Sequence, residues 1–314
     1  MSKEITGIHQ SRELVVGKQG SGTYINSELY SNCKNIGVLL THVDCHTFPN
    51  MVMGIDEVLS PKNHRIVLSQ TQNKVDVERS RLLSLLSANV DGLITEAVKT
   101  VSTSPNLEIY EKFAARNIPV IFVNVYYSEL DCNYIVNNDV QGGCIATQYL
   151  IDQGHSKIGG IFKHDSIQAF FRHEGFVNKL KEQGLKLDES RVVWYSYENL
   201  DNLFSDENLP LFKRALSKCS AVVCYNDRVA SKLVIEASTI GINIPDDLSV
   251  VSFDNSQLCW LTTPSITSVT HPGEEMGKLA AESILQIIDN PSHKIQYTFQ
   301  PELVVRDSVR FMSS

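Results

Sequence analysis

Short apolar runs rich in β-branched residues recur along the chain from residue 35 onward, and each is followed by a segment with the spacing of an amphipathic helix. This alternation is typical of βαβ units and predicts an α/β protein built on parallel sheets. The predicted strands carry, in chain order, the sequences NIGVLL, RIVLSQ, VDGLIT, IPVIFVN, YIVNND, KIGGIF, VVWYSY, AVVCYND, SVVSFDN and ITSVTHP. The predicted helices span residues 49–60, 76–88, 106–116, 140–153, 172–182, 227–239 and 273–289.

The last three predicted strands each finish in side chains that form hydrogen bonds. Tyr225 and Asn226 follow the first of these strands, Asp254 follows the second, and His271 follows the third. Because ligands of parallel α/β sheets bind at the carboxyl ends of strands, these side chains predict a site for one small polar ligand. Asp227 lies where a strand passes into a helix, so we predict that it caps the helix instead.

The size and charge of the chain narrow the possible functions. With 314 residues it exceeds the size at which one hydrophobic core keeps growing, so two or three units are expected. A net charge of -8 excludes a protein that coats nucleic acid or anionic membrane through bulk charge, although a small DNA-contacting segment is compatible with it. The first residues lack the apolar run of a secretion signal, so a cytoplasmic location is predicted.

Cysteine and histidine usage gives no sign of a metal. Seven cysteines are scattered without a CxxC pair, and they predict reduced thiols that pack as small hydrophobic side chains. His42 and His46 are four residues apart, which is a metal-binding spacing on a helix, but HVDCH follows a strand and lacks the glutamate of a zinc-protease motif. No metal or other cofactor is therefore predicted.

The first 34 residues depart from the α/β pattern. The segment ELVVGKQGSGTYIN has two β-like runs around a GSG tip, which predicts a hairpin because glycine supplies the positive φ that such turns need. The polar stretch SELYSNCKN leads from this hairpin into the first α/β strand and is predicted to be a linker.

Several motifs occur together in the order of a known family. Residues 35–310 resemble the effector-binding domain of the lactose-repressor and periplasmic sugar-binding superfamily. The segment VVGKQGSGTYI resembles the wing of the winged helix-turn-helix domain in GntR-family repressors. The motifs that carry the first resemblance are GLIT at 92–95, YLIDQGHSKIGGI at 149–161, FRHEGF at 171–176, CYNDRVA at 224–230, GINIPDDLSVVSFDN at 241–255 and LTTPSITSVTHP at 261–272.

The resemblance implies two similar α/β lobes, joined by three crossing strands, with a ligand cleft between them. It divides the chain into a winged-helix remnant at 1–26, a linker at 27–34, a first lobe at 35–136 and 272–293, and a second lobe at 137–271 and 294–310. A complete winged helix-turn-helix domain needs about 60 to 70 residues with three helices. Only about 25 residues precede the linker, so the chain as given is expected to bind effector but not operator DNA.

The resemblance also implies a function and its residues. It predicts a sugar-responsive transcriptional repressor that acts as a homodimer. The segments IFKHDSIQAFFRHEGF, CYND and THP resemble the corresponding segments of arabinose-responsive repressors, and this resemblance implies L-arabinose as the effector. The implied effector-binding residues are Phe48, Glu96, Tyr127, Asp139, Lys163, Gln168, Arg172, Tyr225, Asn226, Asp254 and His271. The implied DNA-contacting residues of the wing are Arg12, Lys18, Gln19, Gly20, Ser21, Gly22 and Thr23.

Arg172 is the firmest of these ligand residues. The helical pattern predicts that it begins a helix, where a cation is disfavoured by the helix dipole, so a specific role is expected there. Its guanidinium presents several donors in a fixed geometry that suits sugar hydroxyls. The alternative is a surface ion pair.

Two other functions compete with the repressor. A solute-binding protein of a sugar transporter uses the same fold and cleft, but the wing-like segment and the lack of a signal sequence count against it. A carbohydrate-active enzyme needs paired carboxylates, for which Glu96 and Asp254 are candidates. GxSxG, P-loop and GxGxxG motifs do not occur, so we predict binding without catalysis. The identity of the sugar, including whether it is phosphorylated, stays open at this point.

Overall fold

The structure is a computed structural model that describes residues 15–18, 22–25, 33–43, 47–98, 105–205, 207–239 and 241–312. The strands are β1 (Val15–Lys18), β2 (Gly22–Ile25), β3 (Asn35–Leu40), β4 (Arg65–Gln70), β5 (Gly92–Thr95), β6 (Val120–Val123), β7 (Asn133–Asn137), β8 (Ile158–Lys163), β9 (Val192–Tyr195), β10 (Ala221–Cys224), β11 (Ser249–Asp254), β12 (Thr267–Thr270), β13 (Gln296–Phe299) and β14 (Leu303–Val304). The α-helices are α1 (Phe48–Leu59), α2 (Val75–Ser87), α3 (Leu107–Ala115), α4 (Asp139–Asp152), α5 (Ile167–Glu182), α6 (Leu209–Leu216), α7 (Asp227–Thr239) and α8 (Gly273–Asp289).

Two six-stranded sheets form the body of the molecule. The first has the strand order β13-β7-β6-β5-β3-β4 and is parallel throughout. The second has the order β14-β12-β11-β10-β8-β9 and is parallel except for the edge strand β14. Each of the ten predicted strands overlaps a strand of these sheets, so the predicted two-lobed α/β fold is confirmed.

Successive residues of the strands in the first sheet point to opposite faces, and apolar side chains on both faces pack against helices. In β3, Ile36 and Val38 pack with α1 and α8, whereas Leu39 packs with α2 and α3 on the opposite face. In β6, Ile121 and Phe122 divide between the two faces in the same way. Strands that are apolar on both faces are the pattern expected of buried parallel sheets.

The chain crosses between the lobes three times, and the crossings are hydrogen-bonded to one another. The first follows β7, the second follows β12, and the third joins β13 to β14. The Asn138 backbone N–H donates to the Phe299 carbonyl at 2.9 Å, and the Glu302 N–H donates to Thr270 Oγ1 at 2.9 Å. These bonds make the three crossings a common hinge.

The third crossing lies later in the chain than the sequence predicted. Residues 294–310 were expected to lie in the second lobe, but β13 pairs in parallel with β7 at the edge of the first sheet. Only β14 and the residues after it join the second sheet. Strand β13 is short and largely exposed, so its sequence lacks the apolar run that marks the buried strands of the first sheet. The sequence therefore gave no sign that residues 296–299 belong to the first lobe.

Helix α5 begins five residues before the predicted start. It runs from Ile167, so Arg172 lies within the helix and the argument from an unfavourable N-terminal cation was wrong. Helix α6 and the 3₁₀ helix Tyr197–Asn202 had no predicted counterpart. The remaining predicted helices agree with the observed ones to within one residue at each end.

Glycines allow two pairs of helices to cross at very short range. A Cβ added to Gly175 on α5 would lie 2.0 Å from the Val140 carbonyl oxygen of α4, and one added to Gly143 would lie 2.1 Å from the Arg172 carbonyl oxygen. The first lobe repeats this arrangement with Gly54 on α1 and Gly277 on α8. This crossing brings the start of α4 against the middle of α5, where Asp139 and Arg172 meet.

The N-terminal segment contains the predicted hairpin. Strands β1 and β2 pair antiparallel, with Val15 opposite Ile25 and Lys18 opposite Gly22. The tip residues Gln19, Gly20 and Ser21 and the upstream Arg12 lie outside the described residues. Within the described part of the chain, no helix is both long and apolar enough to cross a membrane.

Replacing Gly175 with alanine should lower the free energy of unfolding by about 1–3 kcal/mol, because the added methyl group meets backbone atoms that cannot turn away. This loss outweighs the roughly 1 kcal/mol that alanine gains over glycine in helix propensity. Denaturant unfolding of Gly175→Ala and of the exposed neighbour Glu174→Ala measures the difference. Equal stability of the two variants would contradict the close-packing account.

Candidate functional site

A cleft lies between the two lobes at the carboxyl ends of their strands. It contains about 830 Å³ of atom-free space, a volume that includes adjoining solvent. Nine of the eleven side chains predicted to bind effector line it together. These are Phe48, Glu96, Lys163, Gln168, Arg172, Tyr225, Asn226, Asp254 and His271. The geometry that brings them together is the one expected of parallel α/β sheets, in which strand ends converge.

Arg172 forms the centre of the second-lobe wall. Its Nε donates to Asp139 Oδ1 at 2.7 Å, and its Nη1 donates to the Tyr225 carbonyl at 2.7 Å and lies 3.3 Å from Asp254 Oδ1. The guanidinium also lies over the Phe253 ring, at 4.5 Å from its centroid. One buried cation therefore joins α5 to the first crossing, to β11 and to the residue after β10.

The electrostatics of Arg172 follow from this pairing. Arg172 is 2% exposed, and burial by itself would lower the pKa of its guanidinium. The carboxylates of Asp139 and Asp254 outweigh that effect and raise the pKa, so the side chain stays charged. Arg172 therefore forms a buried ion pair, not the surface ion pair that was the alternative prediction.

The helix cap that the sequence assigned to Asp227 is formed by Asn226, which also lines the cleft. Asn226 Oδ1 accepts from the Val229 backbone N–H at 3.2 Å, so Asn226 caps the start of α7. Asp227 is fully buried and accepts hydrogen bonds from Ser252 Oγ, from the Ser256 N–H and from Ser268 Oγ. Burial raises the pKa of Asp227, and the side chain fastens the ends of β11 and β12 rather than capping a helix.

Asp254 reaches the cleft through an unusual backbone conformation. Its φ is 99°, in a region that residues with side chains rarely adopt. The pairing of its carboxylate with Arg172 and its position at the end of β11 hold it there. Strained residues of this kind cluster at ligand sites, where the surrounding structure fixes them.

In the first lobe, Glu96 is the main polar group of the cleft. It follows β5 and accepts from the Thr41 backbone N–H at 3.0 Å and from Asn124 Nδ2 at 3.3 Å. Burial raises the pKa of its carboxyl group. Asn124 Oδ1 in turn accepts a hydrogen bond from His271 Nε2 at 2.8 Å, so the second crossing is tied to the same wall.

Contacts between the lobes close the mouth of the cleft. Asn73 Nδ2 of the first lobe donates to the Asp165 carbonyl of the second at 2.9 Å. The His42 and Tyr197 rings stack with centroids 3.8 Å apart and an interplanar angle of 15°. Lys163 lies behind this stack, 3.3 Å from Asp165 Oδ1. The structure therefore has the cleft closed.

Two predicted effector residues lie outside this cleft. Tyr127 is 2% exposed, and its hydroxyl contacts Glu78 Oε1 at 2.9 Å and the Val98 carbonyl at 3.1 Å, so it supports the loop after β5 instead. Burial of Glu78 raises the pKa of its carboxyl group. The Asp139 carboxylate accepts a hydrogen bond from Arg172 and does not line the cleft. Its place in the sequence, at the start of α4, gave no indication of this pairing.

Sequence reasoning missed several lining residues. Thr41 and His42 follow the first strand of the first lobe, and of the two only His42 entered the sequence analysis, as part of the HVDCH segment. Residues 44–46 of that segment lie outside the described residues. Asn124 and Tyr197 follow β6 and β9, so the rule that strand ends converge was the signal that would have found them. Among the described residues, no group of three or more His, Cys, Asp or Glu is placed to hold a metal.

The charged groups of the described cleft balance. Lys163, Arg172 and Arg228 face Glu96, Asp165 and Asp254, which gives three cations and three carboxylates. Both signs are accompanied by neutral hydrogen-bonding groups and by aromatic rings, an arrangement that suits a neutral ligand with hydroxyl groups and apolar edges.

Comparison with known proteins identifies the family to which this chain belongs. Residues 147–309 match the model of the periplasmic binding protein-like domain family. The chain is 32% identical over 307 residues to the arabinose metabolism transcriptional repressor of Halalkalibacterium halodurans, covering 94% of this chain and 82% of that protein. It is also 32% identical to the repressor of the same name from Geobacillus stearothermophilus, covering 93% and 82%.

Solved structures agree on the fold. The transcription regulator CcpA of Lactococcus lactis superimposes with a TM-score of 0.75 at 24% identity, covering 88% of this chain and 100% of that one. The chain thus has the two-lobed fold of the periplasmic binding protein-like domains. The chain belongs to the periplasmic binding protein-like domain family and, among transcriptional repressors, to the family of the arabinose metabolism repressors. The GntR-type character of the N-terminal hairpin is not supported by these matches and stays a prediction.

Replacing Arg172 with alanine should lower the free energy of unfolding by about 3–5 kcal/mol, because Asp139 and Asp254 are left buried without their partner. Arg79→Ala is the matched control, since Arg79 also pairs with a carboxylate, that of Glu108, but both are about half exposed. Denaturant unfolding compares the two variants. A loss as small for Arg172→Ala as for Arg79→Ala would contradict the role of the buried pair.

Proposed function

We propose that this chain is the effector-binding part of a transcriptional repressor and that its interlobe cleft binds a small neutral sugar, with L-arabinose favoured. The observation that carries the proposal is the set of opposing polar walls, with Arg172, Asp254 and Lys163 on one lobe and Glu96 on the other. The names of the two 32% identical relatives support arabinose among the possible sugars.

The balanced charge of the cleft favours a neutral sugar over a phosphorylated one. Arg172 and Lys163 are already paired with carboxylates of their own lobe. A phosphate group would have to compete with those carboxylates for its cations. A sugar hydroxyl, in contrast, donates to one carboxylate and accepts from one cation at the same time.

Binding explains the carboxylates better than catalysis does. Asp254 is held by Arg172, and Glu96 accepts hydrogen bonds from Thr41 and Asn124. A glycoside hydrolase needs one carboxylate free to attack or to activate water and another to donate a proton. We therefore favour a receptor over a carbohydrate-active enzyme, and the repressor relatives favour it over a transporter component.

The proposed mechanism is a shift between open and closed lobes. A sugar that touches both walls binds the closed form better than the open form, and only such differential affinity moves the equilibrium. The three crossings are hydrogen-bonded to one another, so closure changes the relation of the two lobes as a unit. In the proposed repressor, this change is passed to the DNA-binding part.

The N-terminal hairpin is proposed to belong to that DNA-binding part. Lys18, Gly22 and Thr23 lie on its two strands, and in a wing such residues contact the phosphate backbone. The homodimer that the resemblance implies also stays a prediction.

A thermal-shift screen tests the choice of ligand. L-arabinose should raise the melting temperature more than other pentoses and hexoses, and sugar phosphates should give little or no shift. A hundredfold excess over the dissociation constant stabilises by about 2.7 kcal/mol, which is well above the resolution of the method. A larger shift with a phosphorylated sugar would overturn the neutral-ligand proposal.

Lys163→Met tests the cleft by calorimetry. Loss of a charged hydrogen bond to a sugar hydroxyl should weaken L-arabinose binding by about 10- to 100-fold, because such bonds are worth roughly 1.5–3 kcal/mol. Lys179→Met is the control, since Lys179 pairs with Glu182 on the surface of α5 and does not line the cleft. Unchanged affinity in Lys163→Met would show that the sugar binds elsewhere.

A further inference from the structure

A second cavity lies next to the effector cleft and has no role in the proposed function. It encloses about 700 Å³ of atom-free space, including its mouth. Its walls come from the loop after β6, from the first crossing and from the start of α5. We call it the second compartment and define it by Tyr126, Ser128, Glu129, Asn137, Asp139 and Phe171.

The two cavities share a boundary that spans both lobes. Val125 of the first lobe and Ile167 of the second line both of them. Ile167 packs against the first-lobe core cluster that contains Val125. The buried ion pair stands at the same boundary, since Arg172 lines the cleft and Asp139 lines the second compartment. A ligand in the second compartment would therefore touch both lobes and the hinge.

Asn137, which lines this cavity, carries a buried oxygen that accepts no hydrogen bond from the described residues. Asn137 is 6% exposed, and among the described residues no donor reaches its Oδ1. Its Nδ2 has a long bond of 3.5 Å to the Thr270 carbonyl. Leaving a buried acceptor without a partner costs free energy, so a rotation of the Asn137 side chain that brings Oδ1 to a ligand hydroxyl in this cavity would be stabilising.

The rest of the wall fixes the class of ligand. Phe171 is 41% exposed at the cavity, and the Tyr126 ring is held in place by stacking on Tyr134 at 4.2 Å between centroids. Glu129 contributes an exposed carboxylate, whereas the Asp139 carboxylate is held by Arg172. Lys, Arg and His do not occur among the described lining residues of this cavity. Aromatic faces with hydroxyl-binding oxygens and no cation suit an uncharged sugar ring and disfavour an anion.

We propose that the second compartment binds a second neutral sugar ring beside the one in the effector cleft. This inference rests on the proposed function, because it takes the cleft to be a sugar site. The ring has two possible sources, which share the same chemistry: it is either the second unit of a disaccharide or a separate monosaccharide. In both cases it bridges the lobes and strengthens closure, so the two occupied compartments support each other.

Calorimetry with L-arabinose and with the α-1,5-linked disaccharide of L-arabinose tests the proposal on the whole chain. Phe171→Ala removes the aromatic face, and Ser128→Trp fills the compartment from an exposed position. Leu83→Ala is the control, because Leu83 is 39% exposed, close to the 41% of Phe171, and lines neither cavity.

If the ring comes from a disaccharide, the wild type should bind the disaccharide with one-to-one stoichiometry and more tightly than L-arabinose. Both compartment variants should then weaken disaccharide binding about tenfold while changing L-arabinose binding less than about twofold. If the ring is a free monosaccharide, the wild type should bind two L-arabinose molecules and each variant one. Leu83→Ala should match the wild type in either case.

Failure of this inference differs from failure of the proposed function. One L-arabinose bound per chain, a disaccharide that binds no more tightly, and unchanged affinities in both compartment variants would overturn the second compartment alone. Absence of binding by either sugar to the wild type would overturn the sugar cleft, and with it the inference that depends on it.

Discussion

The buried guanidinium of Arg172 is the interaction on which the rest of the site depends. It holds Asp139 at the first crossing, Asp254 at the end of β11 and the carbonyl of Tyr225 after β10. A buried cation is stable only with close carboxylates, and those carboxylates are stable only with the cation. This mutual requirement fixes one wall of the cleft before any ligand arrives, which lowers the cost of ordering polar groups around a sugar.

The helix packing makes this arrangement possible. Gly143 and Gly175 let α4 and α5 approach until Asp139 and Arg172 are within hydrogen-bonding distance. On the opposite wall, Glu96 is held by the Thr41 backbone and by Asn124. The two walls are built independently within their lobes, so the ligand need only select how the lobes stand to each other. Rigid lobes around a shared hinge are the usual basis of such switching.

Much of the fold and part of the site were predictable from the sequence. Every strand after residue 35 except the two edge strands β13 and β14 was found, because apolar runs on both faces are a strong signal. The side chains at strand ends converged as expected, whereas the start of α5 was missed because the aromatic run before Arg172 obscures the helical spacing. Tyr127 shows the limit more clearly, since its partner Glu78 lies 49 residues away and only the fold brings them together.

Long-range pairs account for the other differences. The stack of His42 on Tyr197 and the hydrogen bond from Asn73 to Asp165 join residues of different lobes, so the spacing of these residues along the chain could not predict them.

The most direct test of the account is a crystal structure of the chain with L-arabinose. We predict one sugar between Glu96 of the first lobe and Arg172 and Asp254 of the second. A cleft that stays empty at saturating sugar, or a sugar that contacts only one lobe, would contradict it.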